Sequence, residues 1–274
     1  MPYQCPLCQQ PLEKNDHQWR CANNHQFDCA KEGYVNLMPV QFKHSKQPGD
    51  SAEMMQARRA FLDQNYYQPL RNAVCDALDA HMPAQTRRIL DIGCGEGYYT
   101  AEVAKQFNQR DIDVYGLDIA KVAIRYAAKR YPTVSFCVAS SHRLPYADAS
   151  MDAVVRIYAP CKAEELARVI APKGILVTVS PAPRHLYQLK AQVYDSVQLH
   201  EENVEEFAGF TLIDDRQLSY TMQLPGEQAA NLLQMTPFAW RATPDVAARL
   251  KNYAEFDCET DFAIRVYQRH SMLN

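Results

Sequence analysis

Two groups of residues in this chain have the types and spacing that chemistry requires. The first is Asp91-Ile92-Gly93-Cys94-Gly95-Glu96-Gly97, followed 21 residues beyond Gly97 by Asp118. Glycines at the point where a strand turns into a helix let the backbone pass close to a ligand and aim the helix N-terminus at it. The spacing is G-x-G-x-G behind an acid. Recognition of a dinucleotide pyrophosphate favours G-x-G-x-x-G instead. A carboxylate at the end of the next strand, where Asp118 falls, accepts hydrogen bonds from ribose hydroxyls in nucleotide-binding α/β folds.

The second group is Cys5-x2-Cys8 and, twelve residues on, Cys21-x3-His25. Two close pairs of thiolate and imidazole ligands, each from a tight turn, supply the tetrahedral N/S shell that zinc prefers. Four protein ligands leave no open coordination position, which makes the metal structural. Cys29 competes with His25 for the fourth place. The segment is short and polar, with too few apolar residues to fold without an ion.

These groups need elements to hold them. From Arg87 onward strands alternate with helices: RRILDIGCG, DVYGLDIA, VSFCVAS, MDAVVRIYA and ILVTVSP are extended, and YYTAEVAKQF, KVAIRYAAKRYP and CKAEELARVIAPKG, the last running to Gly174, are helical. That alternation predicts βαβ units and a mostly parallel sheet covered on both faces. FTLIDDRQLSYTMQL reads as a strand pair or one long bent strand, and FDCETDFAIRVYQR as a final antiparallel strand. Upstream, Asp50 or Ser51 caps a helix AEMMQARRAFLDQ, and Leu70, Val74, Ala77 and Leu78 form the apolar stripe of another. The division expected is a zinc-binding module over 1–34, a linker and helices over 35–85, and a cofactor-binding domain over 86–274.

Bulk properties narrow the function classes. With 47% hydrophobic and 22% charged residues the 274-residue chain is an ordinary globular protein. It has no apolar run of membrane-spanning length, and MPYQCPLCQQ lacks the apolar core of a signal peptide, so a cytoplasmic chain without a membrane partner is expected. Nine cysteines, clustered early and scattered later, fit metal binding and reduced thiols better than a disulfide framework. The net charge of −3 gives no whole-chain sign of nucleic-acid binding, but residues 201–274 hold twelve acids against six bases. A phosphate-facing surface therefore belongs in the first 200 residues.

The loop Asp91–Gly97 with its preceding acid resembles motif I of class I methyltransferases. Their cofactor, S-adenosylmethionine, carries a cationic sulfonium and an amino-acid tail but no phosphate. With both groups in this order, the chain resembles nearly end to end the RlmA (RrmA) family of 23S ribosomal RNA guanine-N1 methyltransferases, in its RlmA(I) branch. The most specific stretches are CPLC, AKEGYVNLMPVQ, PGDSAEMMQARRAFLD, LDIGCGEGYY, VASSHRLP, RIYAPCKAEELARV and LLQMTPFAWR. The resemblance implies an α/β class I methyltransferase fold, Rossmann-like with a mostly parallel sheet and a final antiparallel strand, plus a small N-terminal zinc-binding module. It implies zinc on Cys5, Cys8, Cys21 and His25, and S-adenosylmethionine contacts from Tyr67, Gly95, Glu96, Asp118 and His185, beside the loop glycines Gly93 and Gly97. It further implies a guanine in a 23S rRNA hairpin as substrate, and a homodimer.

Guanine N1 is protonated at neutral pH, so a base must take that proton. The sequence does not name it; Tyr158, at the end of the fourth core strand, is the candidate target-facing residue. Phe238 and Trp240 are candidates to stack on an extruded base, and Lys43, His44, Lys46, Arg58 and Arg59 to contact phosphates. The residues taken alone leave open a methyltransferase for another RNA or a small molecule, a non-catalytic RNA-binding assembly factor, and a nicotinamide-dependent dehydrogenase.

Overall fold

The computed structural model describes residues 3–39, 41 and 51–271. The chain opens with three short antiparallel strands, β1 (Glu13–Asn15), β2 (Gln18–Arg20) and β3 (Gln26–Asp28), which form a small ribbon, and β4 (Val35–Asn36). Two helices follow, α1 (Ala52–Leu62) and α2 (Gln68–His81). Ser51 caps α1 by accepting a hydrogen bond from the Met54 amide, as its type predicts; Asp50 lies outside the described residues. The α2 stripe Leu70, Val74, Ala77 and Leu78 is buried throughout.

The alternating part then runs β5 (Arg88–Ile92), α3 (Tyr98–Gln106), β6 (Asp113–Asp118), α4 (Lys121–Arg130), β7 (Ser135–Val138), β8 (Met151–Ile157), α5 (Ala163–Val169) and β9 (Ile170–Pro181). It closes with α6 (Tyr187–Val193), β10 (Phe210–Leu224), α7 (Gly226–Gln234), α8 (Pro244–Lys251) and β11 (Phe256–Arg269). The eight-stranded sheet has the order β10-β11-β9-β8-β5-β6-β7-β4. Strands β4 to β9 pair in parallel, while β11 and β10 are both antiparallel, one strand more than a single closing one. Chain order reverses between β5 and β8, and the carboxyl ends of strands at such a point form the crevice where α/β sheets take ligands.

Both sheet faces are covered, so the central strands read as near-continuous apolar runs. Ile89, Ala153, Val155 and Val177 pack with Phe61, Leu70, Leu78 and Val103 of the helices. Their neighbours Leu90, Val154 and Leu176 point the other way, into a core shared with α5 and the ribbon. The connection from β7 to β8 has no helix, and the ribbon takes that face. Tyr3 is its key, with its ring 5.0 Å from Trp19, 5.9 Å from Tyr115 and 5.3 Å from Tyr146. Backbone bonds fix the same junction, from the Gln4 amide to Pro145 at 2.9 Å and from the Leu37 amide to Val138 at 2.8 Å.

One element departs from the sequence reading. The helix expected over 161–174 begins at Ala163 and stops at Val169, because Pro172 has no amide to continue it and Ile170 already pairs with Met151 of β8. Of the two readings of FTLIDDRQLSYTMQL, the single long strand is the one found, with an irregularity between Leu212 and Asp214. Among the described residues no helix is long and apolar enough to cross a membrane.

Because the ribbon packs directly on the sheet, Tyr3→Ala should destabilise the whole chain, not the ribbon alone. We expect a loss of about 3–5 kcal/mol, the range for deleting a large buried ring, read as a lower urea midpoint of one cooperative transition. An unmoved transition of the sheet, with only the ribbon melting, would contradict this packing.

Candidate functional site

The glycine loop leaves β5 through three left-handed residues, Gly93 (φ 73°), Gly95 (φ 54°) and Gly97 (φ 83°). Each serves a different need. A Cβ on Gly93 would lie 2.5 Å from the Ala159 Cβ, and one on Gly97 would lie 3.1 Å from the rings of Phe136 and Tyr131. A Cβ on Gly95 would meet nothing within 4 Å, so its backbone faces open space of the kind a ligand can enter. The loop is tied to the end of β6: the Gly93 and Cys94 amides donate to the Leu117 carbonyl at 2.8 and 3.0 Å. Asp118 completes the tie, accepting from the Gly95 amide at 3.0 Å on one oxygen and the Ala120 amide at 2.8 Å on the other. A carboxylate oxygen can accept two hydrogen bonds, so a ribose hydroxyl can join a backbone amide there.

Asp91 lies beneath the loop, 3% exposed, and accepts a 2.6 Å bond from the Thr100 hydroxyl. Burial pushes its pKa up to about 7, the Thr100 bond pulls the other way, and the Asp118 charge adds a little to the rise. Glu96 turns toward α1, where Arg59 grips it with two bonds of 2.7 and 2.6 Å. The Arg59 guanidinium also sits 3.9 Å over the Tyr126 ring of α4. Arg58 donates to the Met235 carbonyl at 3.3 Å, while Lys43, His44 and Lys46 lie outside the described residues.

Three more residues meet beside the loop. Tyr67, at the start of α2, is buried edge-on against Phe61 at 5.2 Å and Phe262 at 5.4 Å. His185, just past β9, lies 4.7 Å from the same Phe262 ring, and Tyr158, just past β8, lies 6.5 Å from it. The Asp261 amide can only donate, and it reaches His185 Nδ1 at 3.2 Å, so the ring proton is on Nε2. Nε2 then donates to the Tyr158 hydroxyl oxygen, 3.4 Å away. Burial first, then the charges of His200 and Lys190, push the His185 pKa down to about 3, which keeps the ring neutral. Tyr158 holds a left-handed backbone (φ 54°) and is 48% exposed. A non-glycine residue in that region marks local strain of the kind that clusters at functional sites.

Phe262 is the hub that sequence reasoning missed, since it lies some 170 residues from the loop and reads only as one apolar position in a closing strand. The grip of Arg59 on Glu96 was equally invisible. Phe238 packs on Tyr194 with ring centres 6.2 Å apart, whereas Trp240 is 76% exposed.

At the ribbon, the ligand atoms of Cys5, Cys8, Cys21 and His25 lie within 4.8 Å of one another. Around a tetrahedral zinc with bonds of about 2.3 Å to sulfur and 2.0 Å to nitrogen, two thiolates stand about 3.8 Å apart and a thiolate and an imidazole about 3.5 Å apart. Here Cys8 and Cys21 Sγ are separated by 3.7 Å, and His25 Nδ1 is 3.4 Å from both Cys5 and Cys21 Sγ. The four residues fit the ion. Cys29 is outside the group; its backbone instead bridges to Val35.

Comparison with known proteins agrees with this geometry. Residues 3–46 match the zinc-ribbon family described as RlmA, N-terminal, and residues 84–231 match a methyltransferase domain family. The chain is 32% identical over 255 residues to the 23S rRNA (guanine(748)-N(1))-methyltransferase of Streptomyces fradiae, across 89% of this chain and 88% of that one. It is 31% identical over 271 residues to the "Putative 23S rRNA (guanine-N(1)-)-methyltransferase" of Micromonospora griseorubida, across 88% and 87%. In fold it is similar to a crystal structure of a "putative methyltransferase" from Bacillus halodurans C-125, with TM-score 0.50 and 14% identity over 73% of this chain and all of that one.

The parallel sheet, the glycine loop and Asp118 define a class I S-adenosylmethionine-dependent methyltransferase with a zinc ribbon. The ribbon and the near-full-length likeness then fix the family: the chain belongs to the 23S rRNA (guanine-N1)-methyltransferases.

The first prediction of the site concerns its loop and Asp118. Asp118→Ala should weaken S-adenosylmethionine binding by about 1.5–3 kcal/mol, the range for a hydrogen bond to a charged group, and Gly95→Val should abolish it by filling the open space. Calorimetric titration checks both, and unchanged curves would remove the cofactor from this loop. The second concerns pH. An unfolded His titrates at about 6.5 and an unfolded Asp at about 3.9. Below pH 6.5 the unfolded chain gains a proton that folded His185 refuses, so stability falls with pH; folded Asp91 keeps a proton that its unfolded form loses, so over the same interval stability rises. Each slope is about 1.4 kcal/mol per pH unit and they oppose. Relative to the parent, His185→Gln should gain stability from pH 6.5 to 4.5 and Asp91→Asn should lose it; two flat difference curves in urea unfolding would refute this.

Proposed function

We propose that the protein transfers the methyl group of S-adenosylmethionine to N1 of a guanine in 23S ribosomal RNA. The observation that carries this reading is the likeness, over nearly nine-tenths of both chains, to the Streptomyces fradiae enzyme that bears that activity in its name. When bound, the cofactor supplies an electrophilic methyl group on a sulfonium. The chain's residues would have to hold guanine N1 in line with that methyl group and leave a base, a side chain or water, within reach of the N1 proton.

What the chain's own residues do is hold the partners in line, an effect that can remove roughly 7–11 kcal/mol of barrier. Gly93, Gly95 and Gly97 form the approach, with Asp118 toward the ribose and Tyr67, Glu96 and His185 around the cofactor. Tyr158 is the candidate facing the target, supported by its exposure, its strained backbone and its position past the end of β8. His185, neutral and oriented by the Asp261 amide, steadies the Tyr158 hydroxyl. An extruded guanine needs an aromatic surface to lie on, and Tyr158 and Trp240 offer exposed rings. The ribbon, over 1–34, is assigned to RNA recognition and the region over 86–274 to the cofactor, with the helices over 35–85 between them. A cytoplasmic site of action and a homodimer belong to the same reading, the dimer carried by the family likeness alone; sedimentation at micromolar concentration decides it.

The test is tritiated methyl transfer to a 23S transcript lacking the modification, followed by primer extension. We expect label at one guanine, as a block to reverse transcription, and none on 16S RNA or transfer RNA. Label appearing on a small molecule and not on 23S RNA would overturn the assignment.

A further inference from the structure

The reading above does not say where the ribosomal RNA backbone runs. Helix α4, KVAIRYAAKR, has four bases and no acid in ten residues, in a chain whose net charge is −3. Ala123, Ile124, Ala127 and Ala128 are buried, and every other position is exposed: Lys121, Val122, Arg125, Tyr126, Lys129 and Arg130. The stem is thus anchored by small apolar residues, and all the charge is turned to solvent. Lys121, Arg125 and Lys129 stand at i, i+4 and i+8, about 6 Å apart along the axis at a rise of about 1.5 Å per residue, close to the spacing of successive phosphates on one strand.

The surroundings fit the same use. Arg125 pairs with Glu32 of the ribbon and Arg130 with Asp63 at the end of α1, both at 2.9 Å, so the helix bridges the two elements that flank the site. These pairs do not consume the arginines, which stay 61% and 51% exposed and each carry five donors. Among the described residues Lys121 and Lys129 make no ion pair. Tyr126 is 46% exposed and Val122 51%, so the face combines cations with apolar surface, as RNA-binding surfaces do. Helix α4 also begins three residues after Asp118, and Tyr126 carries Arg59, which grips Glu96 of the glycine loop.

We infer that the exposed face of α4 is a docking surface for the phosphate backbone of the ribosomal RNA substrate, linking the zinc ribbon to the cofactor crevice. The inference rests on the proposed substrate; an acidic protein is the alternative partner, and the test separates them. The double variant Lys121→Glu, Lys129→Glu, in the full zinc-loaded chain, is compared with the parent for binding to a 23S transcript across a salt series. Each lost phosphate contact should lower the slope of log affinity against log salt by roughly 0.7–0.9, so the variant should lose about 1.5 from its slope and at least tenfold in affinity at low salt. Its melting temperature and S-adenosylmethionine affinity should match the parent, and Lys121→Gln, Lys129→Gln should move the same way by less.

An unchanged slope in a folded variant that still methylates 23S RNA would overturn the surface and leave the proposed function standing. A reduced slope in a protein whose parent binds but never methylates 23S RNA would do the reverse. Polyglutamate displacing the transcript from the parent but not from the variant, at concentrations where polyuridylate does not, would assign the face to an acidic protein and overturn the inference.

Discussion

The crevice depends on one short set of hydrogen bonds, those that lash the glycine loop to the end of β6. Leu117 lends its carbonyl to two successive loop amides, and Asp118 takes a third. Without these bonds a loop with three alternating left-handed glycines would be a floppy segment; with them the loop's open side at Gly95 is held against the strand ends. The buried, protonation-prone Asp91 then has a clear place beneath the loop: its partner Thr100 stands on α3, so the acid joins the strand below the loop to the helix beyond it.

Around this tie, distant parts of the chain converge through packing. Phe262 comes from the last strand, yet it touches Tyr67 at the start of α2 and His185 past β9. The Asp261 amide beside it sets the His185 tautomer, and the tautomer sets the direction of the bond to Tyr158. Strand β11 therefore orients groups that it does not itself contribute. Inserting it between β9 and β10 is what brings those groups within reach.

The sequence was a good guide wherever chemistry is local. Glycine spacing, the acid after the second core strand and the paired ligands of the ribbon each declare themselves within a few residues, and the geometry agrees with Cys5, Cys8, Cys21 and His25 over Cys29. Apolar runs foretold the buried parallel strands, and a helical stripe foretold α2. Long-range contacts were not legible. That Tyr3 would bury itself between Tyr115 and Tyr146, or that Arg59 would face Glu96, depends on which surfaces meet after folding. The end of α5 was misjudged for the same reason: AEELARV is helical by propensity, but pairing with β8 claims the chain from Ile170 onward.

The two margins of the large sheet are finished differently. At one, β10 is long and exposed, and a register irregularity with Asp214, Asp215 and Arg216 blunts it, the usual guard against a stray strand adding itself to a free rim. At the other, β7 is short and mostly apolar, and its rim is met by Val35 and Asn36, with the Leu37 amide bonding the Val138 carbonyl, directly behind the ribbon that carries the zinc ligands. The ion is thus a chaperone built into the chain: by keeping the ribbon folded it keeps that rim closed.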